Sequence, residues 1–499
     1  MSGNLRDYNA PVALSSSSLP RSLERRLGPL DAAAIVIANV IGVGIFITPG
    51  YIAQSVPHPL WILGVWIAGG LLALAGAMAY AELAALRPRS GGEYVYLREA
   101  YGPLAAFLTG WTSFVAGFAG AIAAGALGVA QYLGRFIPAA GDPTPLVSLG
   151  LFGRHVLRLP LGWAFPLGPL SLVISRQTLV ALTAIGALAF VHIRGLGPGR
   201  IVQNTLAALK VTALTVFVAV GLGLGHGNTG NFATSAAGAP SFALAMLLVM
   251  FSYSGWNAAS YVAEEIRNPG RNVPLALGLG TGVVILLYLG LNLLYLYAMP
   301  VADITKLAAS GQTTVANVAA ERLLGPTVST LLGGLAVVIL LSSLSAMTLA
   351  GPRVYYAMAR DGAFLPSAAT VHPRFHTPWI SMTAQAIWSG ILVLIYSSVA
   401  LAEYTGFAVL LFSGFAVSAL FVLRWRHPNE SRPFRAWGYP VAPAVFVVAS
   451  LAITIFAIVG RPQQSLFGLL IILAGIPLYL WTRHRYAAPD SASREAPKA

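Results

Sequence analysis

The residues best suited to chemistry sit where a membrane-spanning helix should be uneventful. Ile41-Gly42-Val43-Gly44-Ile45 lies in the middle of a long apolar run. A glycine weakens a helix interior by about 1 kcal/mol, so the pair predicts an interrupted helix; the alternative is glycine-mediated helix packing. Inside a bilayer an interruption is tolerated only where the freed backbone faces protein or a water-filled cavity. It exposes amide N–H groups on one half-helix, which take an anion, and carbonyls on the other, which take a cation. Such a pair suits a zwitterion. A second stretch, Phe251-Ser252-Tyr253-Ser254-Gly255-Trp256-Asn257, is equally poor in interior helix formers, because serine competes for its own backbone. It reads either as a second interruption or as a serine-lined helix face. Lys210 lies in Gln203-Asn204-Thr205-Leu206-Ala207-Ala208-Leu209-Lys210-Val211-Thr212, with about ten residues of apolar span on either side, too deep to reach a surface easily at ~1.5 Å per residue. An ionisable group at that depth marks function by default.

The elements that position these residues follow from composition. The chain has 499 residues, 57% hydrophobic and 9% charged, with a mean hydropathy of +0.74. A soluble globular chain carries about 25% charged residues, so this is an integral membrane protein. The net charge of +14 is dispersed between apolar segments, which fits membrane orientation and not nucleic acid. There is no cysteine, hence no disulfide and no thiolate chemistry. His192 falls at a helix end, and His372, His376, His427 and His484 in loops or tails, without metal-ligand spacing; no metal or other cofactor is expected. No Gly-Lys-Ser/Thr phosphate loop is present, so this chain does not read as ATP-driven. An intramembrane enzyme would need a paired acid and base or a nucleophile within the spans, where only scattered Ser and Tyr occur.

With about 20 apolar residues needed per crossing, spans are predicted near residues 30–54, 59–84, 101–134, 177–193, 200–225, 241–264, 274–299, 326–358, 378–399, 402–424, 440–460 and 464–482. The fold class is therefore an all-α polytopic membrane protein with twelve crossings. The stretch 145–175 carries Arg154, Arg158, Pro160, Pro166 and Pro169 and reads as an external loop, with room for a surface helix. Residues 1–29 lack a short apolar core, so no cleavable signal is expected and the first span serves as an anchor. Placing both termini inside puts 22 basic residues inside against seven outside (Arg135, Arg154, Arg158, Arg176, Lys306, Arg322 and Arg461). The positive-inside bias predicts cytoplasmic termini in the plasma membrane.

The two interrupted spans are the first and the sixth. If spans one to five and six to ten are repeats, an odd number per copy inverts the second. Paired interruptions at matching positions of two halves point to a transporter's midplane site. The domains expected are a cytoplasmic tail (1–29), a first repeat (30–225), a second repeat (241–424), a peripheral pair of spans (440–482) and a second cytoplasmic tail (483–499).

Gly42-Val43-Gly44-Ile45-Phe46 resembles the break in span one of the amino acid–polyamine–organocation (APC) transporters. Arg87-Pro88-Arg89-Ser90-Gly91-Gly92-Glu93-Tyr94-Val95-Tyr96-Leu97 resembles that superfamily's loop between spans two and three. Phe251 to Asn257, then Glu264-Glu265-Ile266-Arg267-Asn268-Pro269, and Arg432-Pro433-Phe434-Arg435 with Gly438-Tyr439-Pro440, are similar to the L-type amino acid transporter (LAT) branch. The resemblance spans residues 30–482. It implies a five-plus-five inverted repeat and alternating-access transport of amino acids. Val43 departs from the Ser or Thr of many relatives, removing a hydroxyl while leaving the backbone donors.

On this reading the amides around Val43, Gly44 and Ile45 receive a substrate carboxylate. Carbonyls near Ile41 and across Phe251, Ser252, Tyr253 and Ser254 receive its ammonium, with Gly42 and Gly255 opening the two breaks. No acidic side chain lies at either break, which favours neutral amino acids over polyamines or cationic amino acids, the runner-up substrates. The resemblance implies a gate at Phe251. Asn257 is expected to bond substrate, hold the break open or cap the second half of the span. In sodium-coupled transporters of this fold a sodium ion sits where the resemblance places Lys210. The implied role is a tether from span one's carbonyls to hydroxyls of span eight, with Ser342, Ser343 and Ser345 as candidates, and transport without sodium. Exchange and proton symport both stay open. Glu82, Glu93, Glu99, Glu264 and Glu265 read as interfacial ion-pair partners of Arg87, Arg89, Arg98, Arg267 and Arg271. Animal relatives join a single-span glycoprotein through a disulfide, which a chain without cysteine cannot do. The expected partners are an amino acid, the lipid bilayer and, if coupled, protons.

Overall fold

Proline and glycine set the helix starts. Pro29, Pro59, Pro103, Pro269 and Pro326 each occupy the opening turn of a helix, where the missing N–H costs nothing and φ is already helical. A computed structural model of the chain describes residues 23–486, except 43, 154, 159–163, 168–169, 311–313, 396–397 and 461.

The chain is mostly helical. In order, α1 (Pro29–Val40) and α2 (Gly44–Ser55) are followed by α3 (Pro59–Leu86), α4 (Glu93–Tyr101), α5 (Pro103–Thr112) and α6 (Phe118–Leu133). A π-helical turn, Ser113–Gly117, joins α5 to α6 without a break. Then come α7 (Arg176–Ile193), α8 (Leu196–Gly223), α9 (Phe242–Tyr253), α10 (Ala258–Tyr261) and α11 (Pro269–Ala298). After α12 (Val301–Ser310) and α13 (Val315–Leu324) run α14 (Pro326–Arg360), α15 (Trp379–Ile395), α16 (Ser398–Arg426), α17 (Val441–Gly460), α18 (Pro462–Leu473) and α19 (Gly475–Tyr486). Among the described residues seven helical stretches are long and apolar enough to cross a membrane, and α1 with α2 makes an eighth.

α1 and α3 pack on α11, and α1 also touches α8 and α14. A second group, α6, α7, α14 and α15, shares its own aliphatic core around Ile122, Ile185, Leu344 and Val393. Lys210 and the α1–α2 break therefore lie between α8, α1 and α14.

Among its described residues, the stretch 145–175 is built of strands and not of a helix. β1 (Pro145–Phe152) pairs antiparallel with β4 (Leu170–Ser175), and β2 (His155–Arg158) with β3 (Ala164–Leu167). Pro160, Pro166 and Pro169 deny a helix its hydrogen bonds, while the apolar runs between them suit strands. α12 and α13, absent from the sequence reading, are short and amphipathic, below the length of a crossing. The expected single crossing near 464–482 is two helices, α18 and α19, meeting at Ala474.

Candidate functional site

α1 stops at Val40. The Ile41 amide still bonds Ile37 O at 3.0 Å, but Ile41 itself is extended (φ −74°, ψ 94°). The chain resumes as α2 at Gly44 on an axis turned by 48°. Val43 lies outside the described residues. The amides of Gly44 and Ile45 open α2 and so have no acceptor within their own helix.

α9 stops at Tyr253. Ser254 is extended (φ −57°, ψ 144°) and its amide closes on Phe251 O at 3.1 Å. Gly255 takes φ +100°, a left-handed conformation open to glycine at little steric cost. α10 then lasts four residues and gives way to a 3₁₀ turn, Ala263–Glu265.

The two breaks touch. A Cβ on Gly44 would lie 3.4 Å from Ser252 Oγ, and the hydroxyls of Thr48 and Ser252 are 2.8 Å apart. Asn39 Nδ2, in the last turn of α1, donates to Gly255 O at 3.2 Å. Tyr288 on α11 spans both: its hydroxyl lies 3.1 Å from Val40 O and 3.0 Å from Ser252 O. It is buried in an aromatic cluster with Trp66 and Tyr253. Asn39, Thr48 and Tyr288 were not singled out from sequence. A polar side chain beside a predicted break was an available signal for the first two; one tyrosine among 19 gave none for Tyr288.

Lys210 is wholly buried. Its Nζ donates to Ala38 O at 3.0 Å and to Ile41 O at 2.5 Å. Among the described residues both acceptors are carbonyls of the span-one segment, and no serine of α14 is bonded to the ammonium. Ser343 faces the first break, its Oγ 4.0 Å from a Cβ on Gly42. Ser345 turns to α7, where its hydroxyl lies 2.8 Å from His192 Nε2. Ser342 Oγ is buried without a hydrogen-bond partner among the described residues. The carbonyls that sequence assigned to an incoming ammonium already have donors: Lys210 on Ile41, Tyr288 on Ser252 and the Ser254 amide on Phe251. Each carbonyl oxygen keeps a second lone pair.

Phe251 is 42% exposed. Tyr253 points away from the break, donating to Trp66 O at 3.2 Å. Asn257 also points away. Its Nδ2 lies 3.0 Å from both Glu93 Oε2 and Tyr261 Oη, and its side chain makes no cap on α10.

Ionic contacts gather at the end of the bundle that holds Leu27. Leu27 and Ile266 form a parallel bridge: the Leu27 amide donates to Glu265 O and the Arg267 amide to Leu27 O, both at 2.9 Å. Arg353 grips Glu265 with two bonds of 2.7 and 3.0 Å, both side chains fully buried. Glu264 takes Arg360 (2.9 Å) and the Ser90 amide (3.1 Å). Glu82 gathers Arg424 (2.6 Å), Arg432 (3.0 Å) and the Ala436 amide (2.6 Å). Arg87 joins Glu99 to Glu430 and holds the Glu430 carboxyl below the usual carboxylate range. Of the pairings expected from sequence, Glu99 with Arg87 is made. Glu82, Glu264 and Glu265 instead take arginines on α14, α16 and the stretch before α17, which lie far off in sequence. Glu93 takes neutral partners.

A family description, amino acid permease, matches residues 27–477. The serine/threonine exchanger SteT of Bacillus subtilis is 28% identical over 468 residues, covering 93% of this chain and 98% of its own. Asc-type amino acid transporter 1 of Mus musculus is 28% identical over 92% of this chain and 81% of its own. The human cystine/glutamate transporter is 28% identical over 92% and 85%.

Proposed function

The chain belongs to the amino acid permease family, and from that premise we propose that it exchanges neutral L-amino acids across the membrane by alternating access, without sodium. Amino acid transport by a multi-pass membrane protein is what the family does. The finer reading rests on the site, and the observation that carries it is the meeting of two helix breaks at Gly44 and Ser252, bridged by Tyr288. The amides of Gly44 and Ile45, which open α2, together with that of Val43, take the carboxylate. The carbonyls of Ile41 and of Phe251 to Ser254 take the ammonium through their remaining lone pairs, and Phe251 closes over the guest.

Twelve spans form an inverted five-plus-five repeat (30–225 and 241–424) with 440–482 at the periphery, and both tails lie in the cytoplasm. The arginine excess on that side supports the orientation. Lys210 Nζ sits against the first break, bonded to Ala38 O and Ile41 O, which supports sodium independence. The lack of an acidic side chain within residues 41–45 and 251–257 supports neutral substrates over polyamines or cationic amino acids. The name of the serine/threonine exchanger relative supports exchange. Proton symport is the second reading, favoured by the carboxyl of Glu93, which is buried without a cation among its described partners.

The test is a competition panel of amino acids against one labelled substrate in proteoliposomes. Neutral amino acids should compete, and preloaded substrate should accelerate uptake with no sodium present. Accumulation driven by a sodium gradient, or competition by polyamines alone, would overturn the reading.

A further inference from the structure

Glu93 is a glutamate held like no other in the Leu27-end network. It opens α4, the short helix preceding α5, and is 7% exposed. Three donors converge on one of its oxygens: Tyr80 Oη from α3 at 2.9 Å, Tyr261 Oη from α10 at 2.9 Å and Asn257 Nδ2 at 3.0 Å. The ionisable groups that face it are phenols, Tyr80, Tyr96 and Tyr261. The nearby carboxylates Glu264 and Glu265 are each paired with an arginine, Arg360 and Arg353. Among the described residues no cation bonds Glu93.

The backbone presses this carboxyl into place. Gly92 has φ +53°, and a Cβ there would stand 2.7 Å from the Tyr261 ring and 3.0 Å from Ser260 Oγ. α4 therefore meets α10 at van der Waals distance, with the Gly91 amide bonded to Tyr261 O at 3.2 Å. Asn257 is the last residue of the second break. Glu93 thus ties that break and α10 to α3 and to the start of α4 through one oxygen atom.

We infer that Glu93 is a positioning residue for the break at Ser254 to Asn257, and that proton binding to its carboxyl sets how readily the Leu27 end of the protein opens. The inference rests on the transport reading above. A site made of a carboxyl and two phenols can hold either protonation state, because a phenol hydroxyl both donates and accepts. A carboxylate locked by an arginine has no such freedom. Burial pushes the Glu93 carboxyl above its usual range, opposed by the three donors. Opening this end would wet the carboxyl and return it toward the ordinary value of about 4.3. The state with the higher pKa is the one that protons favour. Acid therefore favours the closed arrangement, and stability of the closure is lost as pH rises through the raised pKa.

The experiment is amino acid exchange in proteoliposomes with equal pH on both faces, from about pH 8 to about pH 5, bracketing the carboxyl range. Wild-type exchange should slow severalfold as pH falls. Glu93→Gln, which mimics the protonated form, should run at the slow rate across the whole range, and Glu93→Asp should restore a pH-dependent profile. Tyr261→Phe removes one donor from the carboxylate, so it should move the midpoint to higher pH; it serves where Glu93→Gln is not recovered monodisperse. A flat wild-type profile with normal exchange overturns this inference and leaves the transport reading standing. A Glu93→Gln variant that keeps the wild-type profile, or a Tyr261→Phe midpoint that does not move, overturns it as well. Failure of the wild type to exchange any amino acid overturns the transport reading itself.

Discussion

The ammonium of Lys210 stands 2.5 Å from the carbonyl oxygen of Ile41, the residue at which the first helix loses its regular path. A second bond, 3.0 Å to Ala38 O, reaches the last turn of α1. The side chain is fully buried, so water does not compete for it. One cation from α8 thus supplies donors to carbonyls of the broken span.

Lys210→Ala should therefore cost transport more than folding. Hydrogen bonds to a charged group contribute about 1.5–3 kcal/mol each, and 1.4 kcal/mol is about tenfold in an equilibrium. Exchange should fall at least about tenfold while the detergent-purified variant stays monodisperse. Uptake at the wild-type rate would remove the tether role.

Tyr288→Phe keeps the aromatic packing against Trp66 and Tyr253 and deletes only the hydroxyl that joins the two breaks. The one hydroxyl proton is shared between two carbonyls, so its loss removes about 0.5–1.5 kcal/mol, the worth of one neutral hydrogen bond. Transport should fall severalfold, about tenfold at most, with little change in the thermal midpoint. An unchanged rate would mean that the breaks hold their relation without this bridge.

Gly255→Ala should damage both folding and function. Its φ of +100° is strained for any side chain, and the new Cβ would sit 2.6 Å from Asn39 Nδ2 and 3.1 Å from the Asn39 carbonyl carbon. The second of these is backbone and cannot swing away. A lower unfolding temperature with lost exchange is expected; a variant equal to the parent would mean that this turn adopts another conformation.

Glu265→Ala leaves the Arg353 guanidinium buried without its charge partner. Breaking one side of a buried pair costs about 3–5 kcal/mol, whereas replacing both members with apolar groups is often neutral. Glu265→Ala should lower the thermal midpoint sharply, and the double change Glu265→Leu with Arg353→Met should recover much of it. A single variant as stable as the parent would show that the pair contributes nothing to holding α14 against the segment after α10.

Much of this was legible in the chain itself. Hydropathy placed the long apolar helices because a bilayer demands about 20 apolar residues for each crossing. Gly42 with Gly44, and Ser254 with Gly255, pointed to the breaks through local backbone preference together with their matching places in the first and sixth spans. Lys210 was conspicuous because a charge in an apolar span is costly wherever it faces. The strands at 145–175 were not anticipated, since short apolar runs fit either period.

By itself, then, the sequence determined what is local: which segments are apolar, where helices yield, and which side chain is costly to bury. Which atoms meet was decided by the fold. Tyr288 reaches Val40 and Ser252 only because α11 packs beside both broken helices, and Asn257 turns to Glu93 because Gly92 lets α4 close on α10. Arg353 finds Glu265 across 88 positions of chain, a pairing that depends on helix packing and leaves no periodicity or spacing to read.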